Sequence, residues 1–171
     1  MLQRLTLLLW SLWLGIGVGV AFVAIPAVFA TARPGLPPGE PGFTAQAVLY
    51  RYFLAQAGIA TALALFELPS WLSRRDVPRW RPIAIGLLLA SCLASLLWLH
   101  PALSDLHRVR HDPAPPAAER YAASARFRKL HGASQGINLA TLLLVLAQWS
   151  AAARSIPRAA HSAEPTPANA L

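Results

Sequence analysis

With 13% charged and 56% hydrophobic residues in 171, and a mean hydropathy of +0.45, the chain carries far less charge than a water-exposed domain, where about a quarter of residues are charged. Its formal net charge of +8 comes largely from arginines flanking long apolar runs, such as Arg74, Arg75, Arg79 and Arg81. That pattern suits lipid headgroups and excludes a nucleic-acid partner, and the lone Cys92 excludes an internal disulfide and any redox chemistry that needs a cysteine pair.

Four stretches reach the roughly 20 apolar residues that a helix needs to cross a hydrocarbon core of about 30 Å. The first, residues 5–32, follows Arg4 and ends in Ala30-Thr31-Ala32, which resembles a signal-peptidase site. Its apolar run exceeds the roughly 7–15 residues of a signal peptide, so a retained anchor is expected. Gly15 and Gly19 on this span form a small-xxx-small pair, read as a packing surface within the bundle or between copies. Trp10 and Trp13 belong either at the interface or between helices.

The connection RPGLPPGEPGF, residues 33–43, is too rich in Pro and Gly for a helix. The second span, 47–72, opens on Arg51 between Tyr50 and Tyr52 and holds one carboxylate, Glu67. Arg51 is read as a headgroup anchor or as one wall of a positive vestibule. Glu67 is read as an interfacial ion pair with Arg74 ahead of a proton carrier. A short basic link, SRRDVPRWR, leads to the third span, 82–103. Pro115 and Pro116 are placed to start a new helix. The fourth span is expected at 133–153, and Trp71, Trp80, Trp98 and Trp149 at span ends near the headgroups.

Short links make consecutive spans antiparallel neighbours. The expected fold is all-α: a polytopic antiparallel bundle of four transmembrane helices over residues 1–155, with a disordered tail at 156–171. Seven arginines on the face of the termini oppose eight cations on the other face, so totals do not orient the chain. The crowding of four arginines into residues 74–81 favours an inner-membrane protein with both termini cytoplasmic.

The polar chemistry concentrates in FRKLHGASQGIN, residues 127–138. At about 100° per helical residue, Arg128, His131, Gln135 and Asn138 share one stripe about 80° wide, flanked by Ser134. Polar groups this close to an apolar core face a bundle interior or a wet cavity. They either tie helices together by hydrogen bonds or, with Arg51, line a pocket for a small solute. Gly132 and Gly136 leave room for a neighbouring helix. A second cluster is His100, His107 and His111, which falls on one stripe if the helix survives Pro101. With His131 these are the ligands of an alternative reading, haem or copper between spans three and four. Exposed, unligated histidines and no cofactor are the preferred expectation.

These residues also carry a resemblance. FRKLHGASQGIN, SLWLGIGVGVAFVAIPAVFA with its Pro26-Ala27-x-Phe29 element, and LYRYF at 49–53 resemble the transmembrane-protein-205-like family, a bacterial domain of unknown function. The resemblance spans most of residues 5–153. It implies a four-span membrane protein and singles out Pro26, Phe29, Arg51, Tyr52, Phe53, Arg128, His131, Gly132, Ser134 and Asn138. The long Pro-rich first connection departs from it, and the family implies no reaction or ligand. The functional expectation is a non-enzymatic membrane protein that binds or passes a small solute. Its partners are the lipid bilayer, an unknown small solute and, given the glycine pairs, further copies of the chain.

Overall fold

A computed structural model describes residues 2–32, 35–37, 39–73 and 78–154. The tail expected at 156–171 lies outside the described residues, as do Arg33, Arg74, Arg75 and Arg158. Among the described residues four helices are long and apolar enough to cross a membrane: α1 (Gln3–Ala30), α2 (Glu40–Ser73), α3 (Trp80–His111) and α4 (Ala117–Arg154). No strand occurs among the described residues. The chain is an all-α, multi-pass membrane protein. Lipid offers no hydrogen bonds to the backbone, so each crossing segment must satisfy its own N–H and C=O groups, and only a helix does so within one segment.

The outward faces confirm the solvent. Leu8, Leu12 and Phe22 on α1, Leu72 on α2, Leu97 on α3 and Leu143 on α4 are exposed. In water this would be an aggregating surface, whereas lipid tails are as apolar as leucine. The helices form a square in which α1 and α3 each pack on α2 and α4. Across the diagonals, α1 to α3 and α2 to α4, no close backbone approach occurs among the described residues.

The apolar core fills the half of the square nearest the termini. Trp10 and Trp13 are fully buried there, stacked with centroids 5.8 Å apart, against Leu63 of α2, Leu88 and Cys92 of α3 and Val145 of α4. Both tryptophans therefore pack between helices. Trp98 is exposed on the outer face of α3, five residues before the expected end of its span at 103.

Helix ends differ from the sequence reading in a consistent direction. Helix α2 starts at Glu40, so EPGF of the first connection is already helical, with Pro41 in the first turn where its missing N–H is not needed. Helix α3 continues through Pro101 to His111, and α4 begins at Ala117, immediately after Pro115-Pro116. Helices α2, α3 and α4 have 34, 32 and 38 residues. At about 1.5 Å per residue they are about 48–57 Å long, against a hydrocarbon core of about 30 Å. The surplus on α4 is the polar segment holding Glu119, Arg120, Arg126, Arg128 and Lys129, so this end of the bundle projects into water.

Candidate functional site

Two prolines shape the end of the bundle away from the termini. A proline within a helix lacks an N–H and its ring crowds the carbonyl four residues back. The chain answers both with a π-turn. The Ile25 N–H bonds the Val20 carbonyl just before Pro26, and the His100 N–H bonds the Ser95 carbonyl just before Pro101. Such one-residue bulges shift every following side chain around the helix. Beyond its bulge, α1 leans away: residues 3–19 pack on α4, but residues 20–30 pack on α2 alone.

The resulting gap is a cavity of about 680 Å3, within the range of small-molecule sites. Its α1 wall is Val20, Ala21, Ile25 and Phe29, and Leu49, Phe53 and Leu103 extend the apolar surface. The polar side comes from α3 and α4, with His100, His107, Arg110 and His111 facing His131, Ser134, Gln135 and Asn138. Gln46 of α2 also lines it. Among the described residues no Asp or Glu does.

Within this wall the side chains hold one another. The His100 Nε2 is 3.0 Å from the Gln46 carbonyl and the His107 Nε2 is 3.0 Å from the Gly39 carbonyl. A carbonyl only accepts, so each ring donates from Nε2. The Ser104 hydroxyl donates to the Gln46 Oε1 at 2.6 Å, leaving the Gln46 amide nitrogen buried and unpartnered. His107 is 3% exposed, edge-on to Phe43, with its Nδ1 buried and unpartnered. Gly39 and Gly42 permit this closeness. A Cβ at Gly42 would overlap the His107 ring, and one at Gly39, whose φ is +92°, would crowd His111. The Arg110 Nε donates to the His111 Nε2 at 2.9 Å, and the guanidinium lies 4.5 Å from the centroid of the Phe127 ring. Phe127 stacks in turn on His131, whose Nε2 is 3.3 Å from the Gln135 amide nitrogen.

The stripe read from the sequence is thus assembled in part. His131, Ser134, Gln135 and Asn138 line one cavity, while Arg51 and Arg128 are exposed and line none of it. The arginine that does line it is Arg110, on the regular part of α3 that follows the bulge. The histidine stripe survives Pro101, but His107 is buried rather than exposed. The expected glycine contacts shift too. Nothing lies within 4 Å of where a Cβ would stand at Gly15, Gly19, Gly132 or Gly136, so none of the four is an intrachain packing surface among the described residues. The close approach on α1 is at Gly17, under Leu142 and the Tyr52 hydroxyl.

Below the cavity, Tyr52 spans the α2–α4 diagonal. Its hydroxyl donates to the Asn138 Oδ1 at 3.3 Å and accepts from the Gln56 amide at 2.7 Å. At the other end of the bundle Glu67 is buried and forms its ion pair with Arg81, at 3.4 Å. The fully buried Gln148 donates to the Arg81 carbonyl at 3.3 Å. Gln56 and Gln148 escaped the sequence reading, since each sits alone among apolar and small neighbours in the sequence.

A haem or copper centre asks for convergent ring nitrogens. Here the Nε2 atoms of His100 and His107 are engaged with carbonyls and the Nε2 of His111 accepts from an arginine. Among the described residues, no group of three or more His, Cys, Asp or Glu side chains is arranged to hold a metal ion. With Nε2 donating to a carbonyl, His100 and His107 each keep Nδ1 as the acceptor nitrogen. Comparison with curated proteins and with solved structures gives no match. A family model described as a domain of unknown function, DUF4149, matches residues 8–112, which takes in most of α1, all of α2 and α3, and every cavity-lining residue of α3. FRKLHGASQGIN on α4 lies beyond that match. Since the match covers more than half of the sequence, the chain belongs to the DUF4149 family.

Proposed function

We propose that this chain is a non-enzymatic membrane protein that binds a small solute in the cavity that all four helices line. The reading adds an inner-membrane location with both termini cytoplasmic, which the arginine crowding at residues 74–81 supports. The transmembrane-protein-205-like signature at residues 127–138 is part of the same reading, because His131, Ser134 and Asn138 of that signature line the cavity.

One observation carries the proposal: a space of about 680 Å3 with an apolar floor and a converging polar wall. If the polar stripe served only to glue helices, its groups would be spent on one another. Instead Ser134 faces the cavity without a side-chain hydrogen bond, and the Gln46 amide nitrogen is buried with none. Purified protein in detergent is screened for solutes that raise its unfolding temperature. We expect hits on the wild type that lose most of their effect in His131→Ala or Asn138→Ala. If both substitutions lower the baseline and no solute shifts any variant, the stripe is glue. The alternative, a haem or copper protein using His100, His107, His111 and His131, calls for a Soret band or stoichiometric copper in the same preparation.

A further inference from the structure

We infer that the cavity takes an amphipathic anion, a carboxylate or phosphate head on an apolar chain, with Arg110 as the group that receives the head. This rests on the solute-binding reading and names the class of solute.

The first argument is charge. Arg110 is partly buried at the cavity wall, and its Nε is used by His111. Its two terminal nitrogens make no hydrogen bond among the described residues, and no carboxylate pairs with it there. A guanidinium held over the Phe127 ring with its terminal nitrogens free can pair with a carboxylate or phosphate through two parallel hydrogen bonds. Arg128 stands near enough to add to the positive field, while among the described residues the cavity lining contains no acidic side chain to cancel it. Neighbouring Arg108, by contrast, is exposed and paired with Asp105 at 3.2 Å.

The second argument is shape. The cavity walls from α1 and α2 include Val20, Ile25, Phe29, Leu49 and Phe53, which suit a hydrocarbon chain and offer nothing to a small hydrated ion. The third is access. Residues 20–30 of α1 touch α2 but not α4, so the cavity borders the lipid-facing side at the α1–α4 gap. A molecule dissolved in the membrane can present its head at the polar level of the bundle and leave its chain in the apolar floor.

The test uses the full chain in phosphatidylcholine nanodiscs, with radiolabelled dodecanoate and dodecanol as probes. Saturable retention of dodecanoate is expected in the wild type and in Arg108→Gln. It should fall about ten-fold or more in Arg110→Gln, the size of a lost charge-assisted hydrogen bond, with a smaller fall in Arg110→Lys. Dodecanol should bind weakly and equally to all four, which also reports that the variants keep their cavity. Phosphatidylglycerol that competes with dodecanoate identifies a lipid headgroup as the anion's source; failure to compete identifies a free acid. Equal retention of dodecanoate by wild type and Arg110→Gln overturns the inference but leaves a solute cavity standing if Ala21→Trp, which fills it, abolishes binding. Absence of saturable binding of either probe overturns both.

Discussion

Glycine shows how little a residue type says without its neighbours. Of the glycines on α1, only Gly17 has a neighbour where a side chain would grow: Leu142 at 2.5 Å and the Tyr52 hydroxyl at 3.2 Å from an added Cβ. Gly17→Val must displace both, and overpacking of this kind costs about 1–3 kcal/mol. It should also pull Tyr52 off Asn138. Gly15→Ala and Gly19→Ala meet open space and trade a flexible backbone for a better helix former, worth up to about 1 kcal/mol. Thermal unfolding followed by circular dichroism in detergent should therefore fall for Gly17→Val and hold or rise for the other two. A drop in Gly15→Ala or Gly19→Ala of the same size as Gly17→Val would mean that these glycines do pack, against a second copy of the chain. The sequence could not separate the three. They share one type and one span, and the difference lies in which neighbour α4 brings.

At the scale of the element, the two π-turns decide what the cavity contains. An extra residue in a turn rotates everything after it by about 100° relative to an unbroken helix. On α3 the bulge at Ser95–Leu99 sets the direction of His100, His107 and Arg110. Pro101→Ala restores an N–H, removes the ring's clash with the carbonyl of Leu97, and so lets the bulge relax to a regular helix. We expect Pro101→Ala to keep or raise the unfolding temperature while weakening dodecanoate retention several-fold, because Arg110 swings off the cavity wall. Retention equal to wild type in a protein that unfolds no earlier would show that the bulge does not aim Arg110. The apolar spans were legible from length and composition alone, and so were the starts set by prolines, as at Pro115-Pro116. The polar helix extensions were not, since a hydropathy threshold stops where the hydrocarbon stops. That is why the fourth span is read from residue 133 although its helix begins at Ala117.

The whole molecule is a square bundle with two unlike halves. Near the termini the square is closed by Trp10, Trp13 and Val145. Away from the termini it opens where α1 leans out, and α2, α3 and α4 rise past the hydrocarbon. The fold class and the four spans followed from composition, since burial of backbone in lipid leaves so few solutions. The site was only half legible. His131, Ser134, Gln135 and Asn138 sit on one helix, whose own period orders them, whereas Arg110 and Gln46 join them from other helices across 25 and 85 residues of sequence from Gln135 and His131 respectively. Helical period says nothing about which faces of separate helices meet. The most direct measurement places single cysteines in a Cys92→Ala background and treats reconstituted vesicles with a small charged thiol reagent. Tyr121→Cys on the projecting part of α4 and Ser134→Cys in the cavity should both be modified, and Leu143→Cys on the lipid face should not. Modification of Leu143→Cys with Ser134→Cys left untouched would contradict a water-accessible cavity at this end of the bundle.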